Sequence, residues 1–161
     1  MAKSPPILFL ITGPNGAGKT TFAKEILTVE LKGMRFLNAD EIARGLSPFD
    51  PPSVAFKAGR LLITEARELI EKKTSFALES TISGIGHTRL IQRAKDAGYQ
   101  VILHFLWLPA PEESIRRVKQ RVRKGGHHVP ADDIRRRYPR TFENLVVHYL
   151  PLAHKWGVRR A

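Results

Sequence analysis

The sequence predicts an α/β fold: three layers, with helices on both faces of a mostly parallel sheet. Three observations predict it. Short apolar runs alternate with longer amphipathic stretches, the pattern of βαβ units. The first run, Ile7-Leu-Phe-Leu-Ile11, is apolar throughout, as a strand buried on both faces requires. That run passes through a glycine-rich loop directly into a helical stretch. A chain of 161 residues suits one domain over residues 1–161 that hides about two-thirds of its unfolded surface.

Each element has a local reason. Lys19 to Leu31 reads as a helix ending near Gly33, and Met34 to Leu37 as the second strand. A short helix fits Asp40 to Gly45, and Ser47-Pro-Phe-Asp-Pro-Pro52 is a rigid turn. Ser53 suits an N-cap. Beyond it Val54, Ala58, Leu61, Leu62, Ala66, Leu69 and Ile70 recur at helical spacing to about Lys73. Thr74 to Leu78 is the third strand, followed by a Gly-containing loop at Ser83 to Gly86. Thr88 to Ala97 is a helix closed by Gly98. Tyr99 to Leu108 is the longest strand and stops at Pro109; its Leu103, Phe105 and Trp107 share one side and belong to the core. Pro111 opens a helix to Lys124, before Gly125-Gly126. From Asp132 to about Lys155 the chain reads as helices interrupted near Pro139 and Pro151, with Tyr149 and Trp156 packing the last of them on the sheet.

Composition excludes several classes. The chain has no cysteine, so disulfides, thiolate metal sites and a cysteine nucleophile are excluded, and a reducing, cytoplasmic setting fits. The early apolar run is too short for a membrane span or a signal peptide. Twenty-seven Lys and Arg against fifteen Asp and Glu give a net charge of +12, which favours anionic partners without choosing among them.

The strongest chemical signal is Gly13-Pro14-Asn15-Gly16-Ala17-Gly18-Lys19-Thr20-Thr21, which contains G-x-x-x-x-G-K-[ST] between a buried strand and a helix. Glycines there let backbone N–H groups turn inward around phosphate oxygens, and the helix N-terminus adds its positive end. Lys19 is expected to reach the β- and γ-phosphates of ATP, and the Thr20 hydroxyl to bind Mg²⁺. The fold expected is therefore a P-loop NTPase. No Asn-Lys-x-Asp segment supports guanine specificity, and no Leu-Ser-Gly-Gly-Gln segment supports a transporter-type ATPase.

Four further segments, taken with the loop, resemble the zeta-toxin family of P-loop kinases, most closely its short stand-alone bacterial members. They are Asn38-Ala-Asp40-Glu-Ile-Ala-Arg-Gly-Leu-Ser-Pro48, Phe76-Ala-Leu-Glu79-Ser-Thr81, Gly125-Gly-His-His-Val-Pro130 and Ile134-Arg-Arg-Arg-Tyr138. The resemblance spans about residues 7 to 155. It implies transfer of a phosphoryl group from ATP to a hydroxyl, which in the toxins belongs to UDP-N-acetylglucosamine, and it allows an antitoxin partner. It makes Asp40 the general base that takes the hydroxyl proton, a role open to a carboxylate at a strand's carboxyl end; Asp40 also suits an N-cap. It gives Glu79 and Thr81 to the acceptor.

Residues 112 to 140 hold ten basic residues and four acids. They read as an Arg-rich helical lid, about 121–140, hinged at Gly125-Gly126, whose guanidinium groups cover the triphosphate. Arg123 and Arg136 best match the family's pair of lid arginines, with Arg121 and Arg137 next. His127-His128 lacks a carboxylate or cysteine at ligand spacing, so metal binding is not expected there. The resemblance also expects a last strand beyond Trp156; the tail Gly157-Val-Arg-Arg-Ala161 predicts a short or missing one. Two rival readings are an ATP-gated module acting on a protein partner and a nucleic-acid-binding ATPase. The second is disfavoured, because the basic residues cluster beside the phosphate loop and no nucleic-acid module motif appears.

Overall fold

The structure, a computed structural model, describes residues 4–161. Five strands form one sheet in the order β2-β3-β1-β4-β5, all parallel. They are β1 (Ile7–Thr12), β2 (Arg35–Leu37), β3 (Phe76–Ser80), β4 (Gln100–Trp107) and β5 (Lys155–Arg160). The helices are α1 (Lys19–Val29), α2 (Ala39–Leu46), α3 (Ala55–Glu71), α4 (Thr88–Asp96), α5 (Pro111–Arg123) and α6 (Ala131–Asn144). The expected three-layer α/β architecture is therefore present, with a wholly parallel sheet.

Both faces of the sheet are covered, so the central strands are mostly apolar. One core joins Leu8, Leu10, Leu78, Leu103 and Phe105 to α3 and α4 through Leu62, Ile91 and their neighbours. The other joins Phe9, Ile11, Ala77 and Leu106 to Phe22 and Ala23 of α1. A small third cluster of Ile115, Val118, Val129 and Ile134 packs α5 against α6. It fixes which face of each basic helix turns inward.

Several local expectations change. The hydroxyl of Ser53 donates back to the Asp50 carbonyl at 2.7 Å instead of capping a helix. Pro51–Val54 forms a 3₁₀ turn, and α3 starts at Ala55. The cap of α2 is Asn38, whose Oδ1 accepts from the Asp40 and Glu41 N–H groups at 2.8 and 3.2 Å; Asp40 lies in the first turn. Helix α6 runs through Pro139 unbroken, because that residue is exposed and water can satisfy the carbonyl its ring leaves unpaired. A π-turn, Leu145–Tyr149, follows. It buries Tyr149, whose hydroxyl donates to the Gly84 carbonyl at 2.8 Å.

The last strand is present in full. β5 pairs with β4 from Ile102↔Lys155 to Trp107↔Arg160, and the His154 ring fastens its start by accepting from the Val101 N–H at 2.9 Å. Trp156 lies on this edge strand and is exposed, so it does not pack a helix on the sheet. An edge strand with little to bury carries basic residues, which hides it from hydrophobic patterning.

Candidate active site

The phosphate loop begins at the carboxyl end of β1, the central strand, where ligands of open α/β sheets sit. Its first residue must be glycine. Gly13 has φ +143°, and a Cβ there would lie 2.1 Å from the Leu106 carbonyl oxygen. Strand β4 thus presses directly on the loop. Gly18 takes the left-handed conformation at the start of α1, leaving the first N–H groups of the helix unpaired along the loop.

Lys19 is buried and donates to the Pro14 carbonyl at 3.0 Å. Burial holds its ammonium below the ordinary value, against the opposing pull of Glu79 and Asp40. Thr20 donates through Oγ1 to Glu79 Oε2 at 2.9 Å, and Asn38 Nδ2 donates to the same oxygen at 2.8 Å. Asn38 therefore ties the second strand's exit to the third strand's end. Burial raises the Glu79 pKa, with Lys19 and the two hydrogen bonds opposing it.

That shift has a sign in stability. A carboxyl whose folded pKa lies above its unfolded value stabilises the fold at low pH, and this contribution is lost as pH rises through the folded value. The thermal midpoint of the wild type is therefore expected to fall relative to Glu79→Gln as pH rises from the ordinary 4.5. Differential scanning fluorimetry across pH checks it; parallel curves for the two proteins would remove the argument.

Two clefts open at this point. One, of about 690 Å³, runs over Gly16 and Gly18 beneath Arg116, Arg117 and Lys124. The other, of about 470 Å³, is lined by Asp40, Thr81, Lys24, Arg44 and Arg137. They share Lys19, Thr20, Thr21, Glu79, Arg121 and Gly126. One cleft carries the glycine-loop backbone, the other the Asp40 carboxylate at the start of α2, and the lysine stands where they meet.

The structure thus brings together Lys19, Thr20, Asp40, Glu79 and Thr81. It does not bring Arg123 or Arg136 to either cleft: both are exposed, and Arg136 is tied to Asp133 at 2.7 Å. Arg121 and Arg137 line the site instead. Helical phase was a usable signal, because Arg121 lies three residues beyond buried Val118 and Arg137 three beyond buried Ile134. Arg121 also donates to the His127 carbonyl at 2.8 Å. Gly126 makes that tuck possible, since a Cβ there would lie 2.3 Å from Arg121 Cγ.

Asn38 and His87 are cleft residues to which the sequence alone assigns no role. His87 lines the Asp40 cleft; burial lowers its pKa, and its Nδ1 is enclosed without a partner. It stands at the end of a loop, residues 81–87, of which the motif segments include only Thr81. Ile82 in this loop is left-handed, with φ +47°. Three side chains hold the loop: Thr141 donates to the Thr81 carbonyl, Asn144 to that of Ile82 and Tyr149 to that of Gly84. Among the described residues no helix is long and apolar enough to cross a membrane.

The fold and site define a P-loop nucleotide-binding domain with a second cleft beside its phosphate loop. The sequence profile of the family described as "AAA domain" matches residues 8–143, and the chain belongs to that family. It is 30% identical over 129 residues to an uncharacterized protein of Haemophilus influenzae, covering 78% of this chain and 88% of the relative. Its fold is similar to that of a chain from the PezAT chromosomal toxin–antitoxin system of Streptococcus pneumoniae: TM-score 0.72, 18% identity, 99% of this chain and 70% of that one. It is also similar to the fold of shikimate kinase from Acinetobacter baumannii: TM-score 0.58, 20% identity, 96% and 83% of the two chains.

Proposed function

We propose that the protein transfers the γ-phosphoryl group of ATP to a hydroxyl of a small molecule, as a zeta-toxin-like kinase. The observation that carries this reading is the pair of clefts meeting at Lys19. A plain ATPase needs only the first; the second, with Asp40 in its wall, has room for an acceptor. In this reading ATP lies along residues 13–21. Asp40 takes the proton as the acceptor oxygen bonds to the γ-phosphorus, and the bond from that phosphorus to the bridging oxygen of ADP breaks. Lys19 and Arg121, the cations common to both clefts, face the charge that spreads over the transferring group. Arg121 thereby takes the role that the resemblance gives to Arg123 and Arg136. Glu79 and Thr81 line the acceptor's side.

The donor set fits Mg²⁺. Thr20 and Glu79 already converge through hard oxygen atoms, and Mg²⁺ typically takes one or two such ligands with phosphates and water completing the shell. When bound it would neutralise charge on the β- and γ-phosphates. A protein partner of antitoxin type belongs to the same proposal, because the PezAT neighbour comes from a toxin–antitoxin system. So does a cytoplasmic location, with which the absence of cysteine accords.

The test is ADP release from ATP and Mg²⁺ with and without UDP-N-acetylglucosamine. Stimulation by the sugar nucleotide, with a phosphorylated product, is the expected result. Slow hydrolysis that UDP-N-acetylglucosamine does not stimulate would remove that acceptor, and a flat response across hydroxyl metabolites would remove the kinase reading.

A further inference from the structure

Helix α3 turns one face to the core, through Ala58, Leu62, Ala66, Leu69 and Ile70. Another face carries a groove of about 490 Å³ whose lining residues all belong to α3. One of its edges is the row Ala55, Gly59, Ile63 and Arg67, spaced by four residues; beside it run Phe56 and Arg60. Rows at this spacing are the ridges of a helix surface, and the channel between two of them receives a ridge of a second helix crossing at about −50°. None of these residues lines either cleft of the candidate active site.

Two features of the groove have no explanation within the chain. Phe56 is 79% exposed. Gly59 lies in the interior of a 17-residue helix, where glycine is unfavourable relative to alanine. No positive φ requires it, and a Cβ there would meet nothing within 4 Å. A body lying in the groove, by contrast, gains closer approach from a missing side chain.

The charges along α3 are also unbalanced. Its acids Glu65, Glu68 and Glu71 are engaged by Arg35, Lys72 and Arg93. Lys57, Arg60 and Arg67 form no ion pair among the described residues; Arg60 lies over the Phe56 ring, 5.0 Å from its centroid. The groove thus combines apolar side chains with uncompensated positive charge.

We infer that this face of α3 docks an amphipathic helix of a partner protein, whose apolar ridge enters the groove and whose flanking Asp and Glu residues meet Arg60, Arg67 and Lys57. A second copy of this chain fits the charge poorly, because the chain carries +12 and both copies would bring the same cations. An anionic bilayer also attracts positive charge, but a channel between ridges complements a helix and not a flat surface. The groove lies outside both clefts, so this docking does not depend on the phosphotransferase reading.

The probe is a fluorescein-labelled, stapled peptide of about 21 residues, long enough to hold a helix, built on the heptad Leu-Ala-Glu-Leu-Leu-Glu-Glu. One control keeps its composition in an order without an apolar face; another replaces Glu by Lys. Fluorescence anisotropy at constant ionic strength is expected to show saturable binding of the probe, about tenfold or more tighter than of either control. Gly59→Gln is expected to weaken it about tenfold by filling the groove, yet to raise the thermal midpoint by about 2–4 °C through better helix propensity. Phe56→Ala and Arg67→Gln should each weaken it several-fold. Affinity for the non-hydrolysable ATP analogue AMP-PNP should be unchanged in all three, which also shows that they are folded. The inference is overturned if a control binds as tightly as the probe, if Gly59→Gln binds it like the wild type, or if that variant's midpoint falls. A dimer in sedimentation that Phe56→Ala abolishes would assign the face to a second copy, and binding to phosphatidylserine vesicles that Phe56→Ala abolishes would assign it to a membrane; either result also overturns it.

Discussion

Asp40→Asn is expected to lower acceptor-dependent ADP release by about 10²–10⁴-fold, the usual contribution of a positioned general base. ATP affinity should stay near that of the wild type, because Asp40 lines the second cleft and not the one over the phosphate loop. The variant should also fold. The N-cap of α2 is the Asn38 side chain, bonded to backbone N–H groups at residues 40 and 41, and these bonds do not depend on the side chain at 40. The substitution removes one acidic group from the first turn, worth about 0.3–1 kcal/mol through the helix dipole. Steady-state kinetics beside nucleotide titration checks it. Equal loss of acceptor-independent hydrolysis and transfer would move Asp40 from base to a role in nucleotide or metal binding.

Lys19→Met should reduce turnover by about 10²–10³-fold, as removing one preorganised charge-stabilising donor does elsewhere. Its effect on the unliganded protein is expected in the opposite direction. Burial depresses the Lys19 pKa more than Glu79 and Asp40 raise it, so the folded state disfavours the charge relative to water. Methionine keeps most of the side chain's bulk and removes that penalty, and the thermal midpoint without nucleotide is expected to rise. Calorimetry beside the activity assay measures both. A lower midpoint together with lost activity would mean that Lys19 supports the loop structurally and that the turnover loss follows from a damaged site.

The sequence made the central unit legible because its signals agree locally. An apolar strand, a glycine loop and a helix start follow one another from Ile7 to Lys19, and each restricts the next. Asp40, Glu79 and Thr81 were readable as strand-end residues beside that loop. The lid arginines were assigned by motif alignment, and alignment carries no rotational phase. Phase is set by the contact of Ile115 and Val118 with Val129 and Ile134, which places Arg121 and Arg137 along the clefts and Arg123 and Arg136 away from them. Asn38 was visible as a letter but not as a bridge, because its partner Glu79 lies forty-one residues away. The path of α6 through Pro139 and the presence of β5 depend on tertiary surroundings that local propensity does not contain.

The fastening of residues 81–87 has a consequence for recognition. Thr141, Asn144 and Tyr149 all project from one continuous helical run, and each holds a different carbonyl of the loop. The wall is therefore ordered when the chain folds, not when a molecule arrives. Binding spends little free energy on arranging it, so more of the contact energy remains for discrimination. Such a wall behaves as a rigid gauge, against which compounds of the wrong length or charge fail at once.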